Sequence, residues 1–366
     1  MKVAPEIQSL TPYQPGKPIA ETKREFGLNR VYKLASNENP LGASPQVRVA
    51  LQSALSELHL YPDGACYEMR KALSAYYDVP EDWLVFGNGS DELVDRLVQI
   101  YCEPEDDAIL TSQGAFIAYE ISAQSERVRT IHTPLTADYR FDLQAMLRIL
   151  EQDAKVRLVF LPNPNNPTGT YFTREEFEAF MAAAGKRDIL VVLDEAYLEY
   201  VRASDYPQGR EFQKRFGNLL LLRTMSKAFG LAALRVGILI APPAVCDLVN
   251  RVRKPFNVNA LAQVAAVAAV QDSSHIERVK QLTWEGLDYF YSELSKMGLR
   301  FCRSQGNFVF FDCGRDAAEI FTACLREGVI LRPVKNYGFP TYLRMSVGLP
   351  EENRVAITVL KKVLGI

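Results

Sequence analysis

The sequence predicts an α/β fold, and three observations carry that prediction. Runs dense in Leu, Val and Ile alternate with stretches of helical periodicity along residues 83–255. Those runs are continuously apolar, without the in–out alternation of a strand that faces water on one side, so they suit a parallel sheet covered on both faces. Unusual polar residues also cluster just after the runs, at the strand ends where open α/β sheets bind ligands.

The first 40 residues, rich in proline and polar groups, read as an extended arm that packs on a small domain or on a dimer partner. "WLVFG" (83–87) is the first strand, and a helix from Ser90 to about Cys102 follows, with Ser90 as its cap. "VRLVFLPN" (156–163) precedes "TREEFEAFMAAAGK", where Thr173 and Glu176 form a capping box and Gly185 is the stop. Strands at 188–193 and 218–223 complete the series, and residues 41–258 form a large domain with a mainly parallel sheet flanked by helices. "NALAQVAAVAAV" then begins a long helical stretch to about Met297, with a break near Ser273. From 299 onward, "NFVFFD", "GVILR" and "YLRMS" alternate with two helices. Residues 259–366 therefore read as an interdomain helix and a smaller α/β domain, which the arm could complete.

Composition narrows the function. A formal net charge of −2 over 366 residues gives no electrostatic reason to expect nucleic acid or an anionic membrane. The N-terminal stretch has no apolar signal-peptide core and no apolar run is long enough to span a bilayer, so a cytoplasmic protein is expected. The six cysteines form no C-x-x-C pair and read as reduced, packed thiols. His59, His132 and His275 stand apart from acidic or cysteine clusters, so neither a metal site nor a histidine triad is expected.

The chemistry gathers after the strands. "NPNNPTG" presents Asn163, Asn165 and Asn166; the strand at 188–193 ends in Asp194, Glu195 and Tyr197; that at 218–223 ends in Thr224, Ser226 and Lys227. "GNGSDE" (87–92) offers a helix N-terminus to an anion. Each piece has a plain reading: "GNGS" as a turn, Asp194 as a cap, Tyr197 as a packing residue, Lys227 as a side chain reaching water. Their joint occurrence is harder to explain that way. "TMSKAFGLAALRVG" places Lys227 and Arg235 eight residues apart in an otherwise uncharged run, and a buried amine is costly unless something uses it. A carboxylate, a phenol, an amide, a reactive lysine and a phosphate nest match pyridoxal phosphate group by group.

In its ordered segments "YQPGKP", "LASNENPLG", "YPDG", "GNGSDE", "NPNNPTG", "DEAYLEY", "RTMSKAFGLAALRVG", "GNFVFF" and "LRMSVG", the chain resembles the histidinol-phosphate aminotransferase family of fold-type I pyridoxal-phosphate enzymes. The resemblance covers essentially the whole chain. It implies Lys227 as the Schiff-base lysine, Asp194 as the partner of the pyridine nitrogen, and Asn166 with Tyr197 as contacts of the 3-oxygen. It implies Ser90 and Asp91 backbone N–H groups, Thr224, Ser226 and Arg235 on the phosphate, with the Asp91 and Glu92 side chains turned away. Phe116 falls where the family stacks an aromatic ring on the cofactor, and Tyr61 where a tyrosine reaches the phosphate from the other subunit of a homodimer. Arg344 and Arg332 fall at the substrate-anion and substrate-phosphate arginines, and Asn37 and Tyr13 near the substrate.

The implied reaction moves an amino group from L-histidinol phosphate to 2-oxoglutarate. Related enzymes on this core transaminate phenylalanine or tyrosine, decarboxylate phosphothreonine, or serve as cofactor-binding regulators. Three departures from the family pattern are "SQGA" before Phe116, Ala233 in the lysine segment and Pro333 after Arg332. The first and third bear on amino-donor preference.

Overall fold

The computed structural model describes residues 3–366. Its main sheet has seven strands: β1 Leu84–Asn88, β2 Ala108–Ser112, β3 Arg129–Thr133, β4 Val156–Pro162, β5 Leu190–Asp194, β6 Leu219–Thr224 and β7 Val236–Ile240. In space they run β1-β7-β6-β5-β4-β2-β3. Strands β2 to β6 are mutually parallel, whereas β7 is antiparallel to both β6 and β1. Six carboxyl ends, that of β1 included, therefore point to one edge, with the start of β7 inserted among them. The middle strands are buried except for Arg157 and Leu190 near the starts of β4 and β5, as their long apolar runs require.

Strands β2, β3 and β7 are absent from the sequence prediction. Strand β3 is a sheet edge and reads "RTIHT", half polar because only one side is covered. Strand β7 begins directly after Arg235, whose φ of 61° turns the chain back alongside β6. Nothing in a five-residue apolar run fixes that reversal.

The flanking helices follow the predicted signals with two adjustments. Thr173 and Glu176 form the expected capping box of the helix Arg174–Ala184. Gly185 follows it in right-handed conformation. Glycine is needed there because a Cβ would lie 2.6 Å from the Phe216 ring and 2.7 Å from the Met181 carbonyl. Ser90 is not the cap of its helix: Gly89, at φ +83°, is the cap and Ser90 the first helical residue. Only glycine takes that backbone conformation without strain.

A second, antiparallel sheet of β8 Phe301–Cys302, β9 Phe308–Asp312, β10 Arg332–Val334 and β11 Phe339–Ser346 runs β10-β11-β9-β8. The helices Ala260–Gln271 and Ser273–Lys296 connect it to the main sheet. Their break falls at Asp272, whose carboxylate accepts the His275 N–H at 3.1 Å and so caps the second helix.

The arm is not wholly extended, contrary to the sequence expectation. It carries helices at Pro5–Ser9 and Ile19–Phe26, each opened by a proline placed where a helical N–H has no partner to lose. Tyr32–Lys33 pairs in parallel with Val329–Ile330, which ties the arm to the smaller part of the molecule. Among the described residues no helix is long and apolar enough to cross a membrane. All six cysteines are free thiols.

Candidate active site

A cleft of about 460 Å³ opens at the carboxyl edge of the main sheet. Lys227 enters it three residues beyond β6, and its loop is locked by two turns. Gly230 N–H donates to the Lys227 carbonyl at 3.0 Å, and Leu231 N–H to the Met225 carbonyl at 3.0 Å. Gly230 has φ +71°, and a Cβ there would lie 2.5 Å from the Gly42 carbonyl. Asn39 holds the same loop from the arm side through the Ala228 carbonyl, at 2.8 Å.

Burial, aided by the nearby Arg344 guanidinium, lowers the Lys227 ammonium to a pKa of about 8. The lysine so becomes a usable base and nucleophile close to neutral pH. Asp194, at the end of β5, is shifted in the opposite sense: burial raises it to about 6, partly offset by its hydrogen bonds. It still stands ionised at neutral pH. Tyr119 Oη donates to one carboxylate oxygen at 2.5 Å and the Ala196 N–H to the other at 3.0 Å.

At one pole of the cleft lie the start of the helix Ser90–Tyr101, the hydroxyls of Thr224 and Ser226 (3.0 Å apart) and Arg235. Three glycines make this pole possible. A Cβ on Gly237 would lie 2.3 Å from the Gly89 backbone, one on Gly87 2.8 Å from the Gly89 carbonyl, and one on Gly89 2.1 Å from Arg235 Nη2. Backbone N–H groups, two hydroxyls and a guanidinium in a cradle without side-chain bulk fit a phosphate. The expectation that Asp91 turns away is not met. Its carboxylate pairs with Arg235 at 3.0 Å, because the bare Gly89 lets the guanidinium lie against the helix start. Glu92 does turn away, accepting from Asn88 N–H (2.6 Å) and Asn257 Nδ2 (2.9 Å).

At the other pole Arg344 is buried and donates to the Ala35 carbonyl at 2.6 Å and to Asn166 Oδ1. Its Nε atom is buried without a partner. Arg332 donates to the Gln14 carbonyl at 2.7 Å and lies 5.8 Å from the centre of the Tyr13 ring, so the arm meets the cleft at this cation. Asn37 Nδ2 donates to Tyr197 Oη at 2.9 Å, and Ser346 Oγ to Asn37 Oδ1 at 2.7 Å.

Of the residues singled out from the sequence, Tyr13, Asn37, Ser90, Asp91, Phe116, Asn166, Asp194, Tyr197, Thr224, Ser226, Lys227, Arg235, Arg332 and Arg344 line this cleft. Asn163, Asn165 and Glu195 do not: they are buried and bonded, respectively, to the Phe172 N–H, to Thr168 and the Gly114 carbonyl, and to Arg223. Tyr61 lies elsewhere, 82% exposed and stacked on Phe256 at 4.8 Å. Tyr119 was missed. Its spacing of three from Phe116 signalled a shared side of the turn into the helix Ala118–Ser125. Among the described residues no group of three or more His, Cys, Asp or Glu side chains is placed to hold a metal.

Residues 29–360 match the family model for aminotransferase class I and II. The histidinol-phosphate aminotransferase of Bdellovibrio bacteriovorus is 53% identical, covering 100% of this chain and 98% of that protein. The chain belongs to this aminotransferase family. The histidinol-phosphate aminotransferase of Anaeromyxobacter sp. is 44% identical over 99% of both chains. Among solved structures, the Sinorhizobium meliloti histidinol-phosphate aminotransferase in complex with pyridoxal-5'-phosphate superposes with a TM-score of 0.89, at 26% identity over 100% of this chain and 98% of that one. A Thermus thermophilus aspartate aminotransferase variant shares the fold, with a TM-score of 0.85 at 20% identity over 99% and 100% of the two chains.

Two measurements test this electrostatic picture. Amine-directed acylation of the cofactor-free aminotransferase, followed by peptide mapping, is expected to label Lys227 with a midpoint near pH 8, below the ~10.4 of ordinary lysines. The neutral amine is the reactive form, so labelling rises with pH; Arg344→Gln removes a neighbouring cation and moves the midpoint upward. Asp91→Asn releases Arg235 and is expected to tighten inorganic phosphate about twofold to fivefold, the range of a half-exposed ion pair. Isothermal titration of the cofactor-free protein reads this directly.

Proposed function

We infer that this aminotransferase transfers the amino group of L-histidinol phosphate to 2-oxoglutarate, yielding imidazole acetol phosphate and L-glutamate in histidine biosynthesis, with pyridoxal 5'-phosphate as cofactor. The observation that carries the reading is a partly buried amine at Lys227 and a buried carboxylate at Asp194 in one cleft, with a phosphate cradle at one pole and two arginines at the other. The full-length 53% identity to a histidinol-phosphate aminotransferase supports the donor.

Bound pyridoxal phosphate supplies an aldehyde for the amines and an aromatic ring that disperses negative charge. The chain supplies everything else. Asp194, its carboxylate ionised at neutral pH, would hold the ring nitrogen in its protonated form. Asn166 and Tyr197 would hold the 3-oxygen, and Phe116 would cover the ring. Backbone N–H groups of Ser90 and Asp91, the hydroxyls of Thr224 and Ser226, and Arg235 would hold the phosphate. Lys227 Nζ, weakly basic through burial, takes the proton from the donor carbon and returns it. Arg344 receives the substrate anion, its unpartnered Nε leaving donor capacity for a ligand. Arg332 receives the donor phosphate, and Tyr13 and Asn37 bound the substrate. The division into an arm (1–40), a cofactor-binding part (41–258) and a smaller part (259–366) belongs to the same reading.

We further propose a homodimer in which Tyr61 completes the phosphate site of the partner subunit. Tyr61 stacks on the exposed Phe256, and Val49, Leu55, Leu58, Leu60 and Tyr67, close to it in the chain, are exposed apolar side chains as well. This density of exposed apolar residues supports an interface at this segment. A cytoplasmic location accompanies this proposal.

Steady-state rates with histidinol phosphate, phenylalanine, tyrosine and phosphothreonine as donors to 2-oxoglutarate test the donor. Histidinol phosphate is expected to give the highest kcat/KM, and a higher value for either aromatic amino acid overturns the assignment. Lys227→Ala is expected to lose at least ~100-fold in kcat, as removal of a general base does. Co-expressed Lys227→Ala and Tyr61→Ala subunits test the dimer. With Tyr61 acting across the interface, the mixed dimer keeps one intact site and about half the wild-type rate. With Tyr61 acting within its own chain, neither site is intact.

A further inference from the structure

Asp194 is held by more than the strand it terminates. The Tyr119 ring is fully buried and stacks on Phe160 of β4, with centroids 4.7 Å apart and planes within 10°. It meets Phe116 edge-on at 5.9 Å and 89°. Clamped between these two rings, the phenol cannot swing, and its hydroxyl reaches Asp194 Oδ2 at 2.5 Å. The remaining fixed donor is the Ala196 N–H, on Oδ1. The carboxylate is so oriented from both sides: from its own strand-end turn and from the helix Ala118–Ser125.

We propose that Tyr119 is a positioning residue, whose phenol fixes the Asp194 carboxylate in its ionised form and aims it into the cleft while its ring backs Phe116. This rests on the reading of the cleft as a pyridoxal-phosphate site. The phenol is suited to the task because burial, together with the Asp194 charge, pushes its own ionisation well above the usual tyrosine range; it stays a donor at every pH of interest. The other charges facing Asp194 work against its ionisation. Asp91 and the neighbouring Glu195 are both acidic, although Glu195 is turned to Arg223 at 2.7 Å. A hydrogen bond to the charged form is therefore what keeps this buried carboxylate ionised. Tyr119 also links two functions that the fold places on different elements, the ring-face residue Phe116 and the ring-nitrogen residue Asp194.

The test is a pH titration of the full-length chain carrying aspartate labelled with ¹³C at the carboxyl carbon, with the Asp194 signal identified by its loss in Asp194→Asn. In Tyr119→Phe the Asp194 midpoint is expected to rise by about one pH unit or more. Replacement of Tyr119 by 3-fluorotyrosine, a stronger donor of nearly the same shape, lowers it and keeps the proposal testable if the Phe variant fails to fold. With histidinol phosphate and 2-oxoglutarate, Tyr119→Phe is expected to lose about tenfold in kcat with KM little changed, and Tyr119→His, which restores a donor, to recover part of the loss. An Asp194 midpoint that moves in neither substituted protein overturns the proposal. That result would leave the donor assignment standing, since the titration involves no substrate; a failed donor screen would equally leave the titration intact.

Discussion

The cleft is organised around the cost of keeping charges out of water. A lysine, a carboxylate and an arginine share one cleft: Asp194 and Arg344 are buried and Lys227 is partly buried, with Lys227 and Arg344 reaching it from different sheets. Isolated, each would be expensive. Together they divide the problem by sign and by distance. Burial and Arg344 lower the Lys227 ammonium to a pKa of about 8, so its neutral, reactive form is within easy reach near neutral pH. Asp194 keeps its charge only because two donors satisfy its oxygens. Arg344 leans on Asn166 and a backbone carbonyl and keeps one unpartnered nitrogen. The features that make these groups costly to fold are those that make them reactive toward a ligand bearing an aldehyde, a ring nitrogen and anionic groups.

Sheet topology supplies the geometry for this. Five parallel strands and β1 deliver their carboxyl ends to one edge, and the antiparallel β7 brings Arg235 back to that edge from the opposite direction. The approach of β1 and β7 is close enough that Gly237 and Gly87 abut the Gly89 backbone. The phosphate cradle is thus a consequence of how two strands meet. Arg235 belongs to it because the chain reverses at Gly230 and again at Arg235 itself. The Asp91 carboxylate occupies the same corner and competes for Arg235, which tempers how strongly this pole attracts an anion.

The smaller sheet and the arm close the other pole. Arg344 lies on β11 and Arg332 on β10, directly paired across the ladder, so one antiparallel sheet sets the spacing of both cations. The arm contributes Asn37 and Tyr13 and is tied down at Gln14 by Arg332. The two poles consequently belong to different sheets, and the cleft lies between them.

Much of this was legible in the sequence. The continuous runs at 156–163, 188–193 and 218–223 marked central strands because a strand covered on both faces has no polar side to interrupt it. The polar residues after them marked the cleft because strand ends in such sheets face one edge. The capping box at Thr173 and the break before Ser273 were likewise local, written in side chains that bond to their own backbone. What escaped was non-local. The pairing of strands β2, β3 and β7 is decided by neighbours distant in the chain. The arm's two helices begin at prolines that also suit an extended chain. The direction of the Asp91 carboxylate depends on Arg235, 144 residues away. The Tyr119 bond to Asp194 spans 75 residues and exists because a helix and a strand end happen to face each other. The sequence by itself determined which groups this protein brings to its cleft, since residue type and strand-end position are local properties. Only the tertiary structure decided which of them touch, because a hydrogen bond depends on where two distant backbones are placed to within an ångström.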